Sequence, residues 1–185
     1  MPSPLSSEAT RPARVSPLGT LAAAWGIAGV ILLLGSAVVR LSAVAQTALE
    51  GPLTGVQWAF LAGWTLFMAY GEGYRGFQKA FSPRVIARAT WLAAHPTPLR
   101  VLLAPAFCMG FFHATRKRLI VSWSITAMVV GLIVGVRMLP APWRGLVDVG
   151  VVVGLSWGMF AIVGWGVASM RGLPLPTPPD VPQES

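Results

Sequence analysis

Charge is what this sequence has least of. Asp, Glu, Lys and Arg make up only 11% of its 185 residues, while 55% are hydrophobic. A soluble domain carries roughly 25% charge. With a mean hydropathy of +0.67, the chain falls among integral membrane proteins rather than water-soluble domains. It has a single cysteine, Cys108, which excludes an intrachain disulfide. It has two histidines and six acids in all. No P-loop or HExxH motif occurs, so the common phosphate-cradling and zinc-protease sites are excluded. Twelve arginines against two lysines, with abundant Ala, Gly and Pro, suggest a bacterial, GC-rich origin.

What the chain does have is long uncharged runs. Residues 18–39 are 22 uncharged residues, about 33 Å of helix and enough to cross a bilayer. Further runs cover 52–71, 119–136 and 145–170, the last interrupted only by Asp148. These predict an all-α integral membrane protein with four transmembrane helices in a membrane domain over 18–171. Residues 1–17 carry too little apolar surface to fold alone, and the Pro-rich tail 172–185 is expected to be disordered. Ala43-Val44-Ala45 fits a signal-peptidase pattern. The apolar run before it is longer than a signal core, and Arg40 intervenes, which favours a retained first span.

Between the second and third runs lies a basic connection, 72–118. It holds Arg75, Lys79, Arg84, Arg88, Arg100, Arg116, Lys117 and Arg118 against the single acid Glu72, and so carries +7 of the formal +8. With four spans and a cytoplasmic N-terminus, eleven basic residues lie inside and three outside. Reading the fifteen-residue apolar run 101–115 as a fifth span changes this to nine against five. The positive-inside rule therefore favours four spans, both termini cytoplasmic, in the bacterial cytoplasmic membrane. Residues 101–115 then lie at the interface, dip in as a re-entrant piece or extend the third helix. Cations that flank apolar spans are orientation signals, not a nucleic-acid surface.

Several residues invite closer reading. Gly150, Gly154 and Gly158 share one face of the fourth span, and Gly131 with Gly135 repeats the spacing on the third. Such stripes let helices approach closely. They predict that spans three and four pack as a hairpin, with a homodimer seam as the alternative. Phe60, Trp64, Phe67, Tyr74, Phe77 and Phe81 recur at helical spacing, so the second span is expected to continue as one helix into the basic connection. Ser82-Pro83 reads as a helix start. The next stretch, to Ala94, reads as a short interfacial helix turning Arg84 and Arg88 toward lipid headgroups.

Residues 71–76 match GxGxxG literally, but a membrane helix precedes them and no strand pattern follows, so a dinucleotide site is rejected. Glu72 is expected to pair with Arg75. Cys108, His113 and His95 are too few and too poorly spaced for a metal or haem site, and no cofactor is expected. Asp148 is the intramembrane acid. An ion pair with Arg144 one turn away, or with Arg137 across the hairpin, is the simplest reading.

No catalytic constellation emerges. The leading expectation is a non-enzymatic assembly or accessory subunit whose basic segment contacts anionic lipid headgroups or a protein partner. Alternatives are an oligomeric small transporter or channel subunit in which Asp148, Arg137 and the glycines line a path, and a membrane enzyme using His95, His113 and Glu72 on a lipid phosphate.

Overall fold

The computed structural model describes residues 16–182. The expectation for 1–15, with Arg11 and Arg14, and for 183–185 lies outside the described residues. Helix α1, Pro17–Glu50, opens with Pro17 at its first position and Ser16 as its cap, whose Oγ accepts the Gly19 N–H at 3.0 Å. It closes at Gly51-Pro52, where the chain turns extended. Helix α2, Gly55–Met68, begins with a full capping box. The Thr54 N–H donates to Gln57 Oε1 at 2.8 Å, and the Gln57 N–H donates to Thr54 Oγ1 at 3.4 Å.

No break follows α2. The backbone widens into a π-helical stretch, Ala69–Phe81, and continues as α3, Ser82–Ala94. Gly71, Gly73 and Gly76 lie in the widened turns. Ser82-Pro83 therefore does not start a separate helix as expected: Phe81 and Ser82 both keep helical dihedrals. The Ser82 N–H still bonds back five residues, to Phe77 O. Pro83 has no N–H to donate to Gln78 O, the next partner in that register. The Trp165 indole N–H fills that place at 2.9 Å, and the Ser82 hydroxyl donates to Gly158 O at 3.4 Å.

Residues 98–109 form two short helices, α4 (Pro98–Leu102) and α5 (Ala104–Met109). Gly110, at φ 81°, ends α5 in the left-handed region. The apolar run 101–115 is thus neither a fifth long helix nor an extension of the third. It folds back on α1, with Ala104 and Cys108 against Gly26 and Pro105 against Gly29. Helix α6, Arg116–Arg137, and helix α7, Trp143–Met170, complete the chain. All secondary structure among the described residues is helical.

Helices α1, α6 and α7 are each long and apolar enough to cross a membrane. The second expected span does not reach that length as an α-helix, because α2 turns π-helical after Met68. Helix α7 is the hub and packs on α1, α2, the π-helical stretch and α3. The core lies where α1, α3, α5 and α7 meet, around Val30, Ile86, Leu92, Phe107 and Ile162.

The glycine stripe of α7 is used, but not against α6. A Cβ on Gly150 would sit 2.5 Å from the Trp64 ring, on Gly154 2.8 Å from Glu72 Oε2, and on Gly158 2.5 Å from the Phe77 ring. The stripe thus seats the rod formed by α2 and the π-helical stretch. Gly131 and Gly135 face nothing within 4 Å, and α6 has a single buried residue, Ser122. The expected α6–α7 hairpin packing does not form. The large aromatic side chains of the rod need the room that the α7 glycines leave, and α6 offers no such bulk on that side.

Candidate functional site

The basic connection turns inward. Arg88, expected to face headgroups, is wholly buried. Its five N–H groups all find backbone carbonyls. Nε donates to Phe107 O at 2.6 Å. Nη1 donates to Pro179 O at 2.7 Å and Asp180 O at 3.5 Å. Nη2 donates to Phe112 O and His113 O, both at 3.0 Å. The guanidinium carbon stands 4.2 Å from the centre of the Phe107 ring. Burial lowers the Arg88 pKa to about 10, and nearby Arg118 and Arg84 act in the same direction. The group stays a cation at neutral pH.

Two of those carbonyls come from the tail. Leu175 and Val181 pack against the core, and Asp180 O also accepts the Thr115 N–H at 2.9 Å. The part of the expected disordered tail that is described, 172–182, is therefore a strap across the basic segment. Asp180 and His113 are the described non-glycine residues with positive φ, 51° and 46°. Both hand a carbonyl to Arg88, so the strained backbone is held by the buried guanidinium.

The remaining cations divide. Arg84 Nε lies 3.1 Å from Asp180 Oδ2. Arg118 lies within electrostatic reach of Arg84 and Asp180. Arg100 donates to His113 Nε2 at 2.9 Å and to His95 O at 3.3 Å, and stands over the Trp91 ring. Arg75, Lys79, Arg116 and Lys117 are exposed. Lys79 Nζ sits 4.5 Å from the Tyr74 ring centre.

Glu72 does not pair with Arg75 as expected. It turns into α7, where Oε2 rests against Gly154 without a hydrogen-bond partner. Asp148 is 3% exposed, and its Oδ2 is likewise unpartnered. Neither Arg144 nor Arg137 forms an ion pair with it, since the ion pair among the described residues is Arg84 with Asp180. Asp148 is buried beside Leu146 and Gly150, and Arg144 stays within electrostatic reach of it without closing to ion-pair distance. Cys108 is buried against α1, and burial pushes its thiol up to about 12. No group of three or more His, Cys, Asp or Glu among the described residues could hold a metal ion.

A groove of about 660 Å³ runs between α7 and the π-helical stretch, bounded by Gln78, Ser156, Trp157 and Trp165. Trp157 Nε1 donates to Gln78 Oε1 at 2.8 Å across it. Sequence reading missed this glutamine and the strap. Asp180 carried no periodicity or motif, and Gln78 gave no sign of the indoles that bind it. Comparison with known proteins yields no match: no protein family fits the sequence, and neither a curated protein nor a solved structure is similar to it.

Proposed function

We propose that this chain is a non-enzymatic assembly or accessory subunit of the bacterial cytoplasmic membrane, crossing it four times with both termini inside. The observation that carries the reading is α6. It is apolar all round, it touches its own chain little, and its Gly131 and Gly135 face open space. A small-xxx-small helix free of its own bundle offers a seam to a helix of another membrane protein. The exposed Arg75, Lys79, Arg116 and Lys117 meet anionic headgroups beside it, each adding about 1 kcal/mol. In the test, the double variant G131L/G135L is compared with wild type by size and cross-linking in native membranes. The reading expects loss of the larger assembly with an unchanged melting temperature. An assembly that survives both leucines rejects it.

A second reading is a transporter subunit, favoured by Glu72 and Asp148, whose buried oxygens lack partners along the α7 interface. Intramembrane acids mark proton and ion paths by default. In proteoliposomes, E72Q and D148N are expected to abolish proton or cation flux if this reading holds. Absence of flux in the wild-type protein, or flux untouched by both variants, removes it.

A further inference from the structure

Among the described residues, the charges under the strap do not balance. Arg84, Arg88 and Arg118 gather around one carboxylate, that of Asp180, the single acid of the described strap. Arg88 spends its N–H groups on carbonyls, yet its charge remains. Arg84 Nε lies within ion-pair distance of Asp180, but its N–H is not aimed at the carboxylate and makes no hydrogen bond. Arg118 Nε is also buried without an acceptor among the described residues, beside Gly110. A third buried polar atom without a partner, Thr177 Oγ1, belongs to the strap itself. Thus three of the six such side-chain atoms lie in or beside the strap.

We propose that Arg84, Arg88 and Arg118 form a binding site for a phosphate-bearing anion, with Asp180 occupying it as a tethered stand-in. A carboxylate brings one negative charge and two oxygens. A phosphate group brings more charge and a third or fourth oxygen, and the planar guanidinium fork suits it. Its additional oxygens offer acceptors of the kind that Arg84 Nε and Arg118 Nε lack among the described residues. Access exists: the side chains of Arg84 and Asp180 are 20% and 27% exposed. The exchange need not detach the strap, because the strap is held by the carbonyls of Pro179 and Asp180 and by apolar packing, not by the carboxylate. The phosphate is that of a lipid headgroup or a free phosphate. The inference deepens the reading of the basic segment as an anion-contacting surface and rests on it for the sign of the ligand.

The test uses the full chain in phosphatidylcholine nanodiscs. One arm adds phosphatidic acid and counts bound lipid by native mass spectrometry. The other titrates inorganic phosphate by calorimetry. D180N keeps every backbone contact of the strap and is expected to bind about tenfold more tightly than wild type. R84Q and R118Q are each expected to bind about tenfold more weakly, the worth of one charge-assisted hydrogen bond. Binding of phosphatidic acid alone assigns a lipid headgroup, whereas binding of inorganic phosphate assigns a soluble ligand. Equal affinity of wild type and D180N overturns the stand-in. Unchanged binding in R84Q and R118Q, or no binding of either probe by D180N, overturns the site. The surface variant R75Q/K79Q/R116Q/K117Q keeps the two readings apart: it lowers general enrichment of anionic lipid and leaves the single site intact.

Discussion

Arg88 and Arg84 sit one helical turn apart and look interchangeable in the sequence. In the fold they have opposite fates, and the difference lies in backbone carbonyls. Five of these converge on Arg88 from residues 107, 112, 113, 179 and 180. A carbonyl has no sequence signature, so nothing local could mark Arg88 as buried. The geometry makes a specific demand. Lysine keeps the charge but offers three donors in place of five, so R88K loses at least two of these hydrogen bonds, although the Phe107 and Asp180 carbonyls keep a second donor in the Gly110 and Thr115 N–H groups. Hydrogen bonds from a charged donor contribute about 1.5–3 kcal/mol each, part of which the second donors offset, and R88K is expected to lose about 2–4 kcal/mol of stability. Limited proteolysis should also find the strap near Asp180 newly open to cleavage, whereas R75K, exposed and outside the network, should behave as wild type. A melting curve and strap protection equal to wild type in R88K would contradict the structural role given to this side chain.

At the scale of elements, periodicity was a good guide to existence and a poor one to partners. The apolar runs became α1, α6 and α7, and the aromatic spacing from Phe60 to Phe81 does mark one continuous helix into the basic connection. The glycine stripe at 150, 154 and 158 is a packing face, as its spacing implied. Its partner is the rod and not α6, although only a short loop joins α6 to α7: nearness in sequence does not make contact. Volume decides instead: Trp64 and Phe77 fill the space above those glycines, and α6 is left with only marginal contact to α7. The π-helical stretch was not legible, because no residue pattern announces a register of five. Its cause is visible only once Pro83, Gln78 and Trp165 are seen together. The strap had the composition of a disordered tail. It is ordered because Arg88 gives its carbonyls donors, and Leu175 and Val181 reach a core that already exists.

For the whole molecule, the crossings follow from which ends meet. Gly19, near the start of α1, lies against Ala93 at the end of the rod, while Ala48, near the end of α1, lies against Gly145 at the start of α7. The chain from Gly55 to Ala94, the rod together with α3, therefore returns antiparallel to α1, with the rod packed on α7 and α3 on both α1 and α7. Although α2 alone is too short to span, the rod carries the chain from one end of the bundle to the other. On the proposed four crossings, Glu50 and Ala141 lie on one side and Lys117 and the strap on the other. Cysteine labelling can read this directly, because the native Cys108 is a silent background: it is buried and its thiol is held up at about 12, far above the pH of labelling. In cells with a permeable outer barrier, a membrane-impermeant maleimide is expected to label E50C and A141C but not K117C, and the pattern should invert in inside-out vesicles. If K117C labels together with E50C, the rod does not cross. The basic connection would then face outward, against the charge distribution that orients the chain.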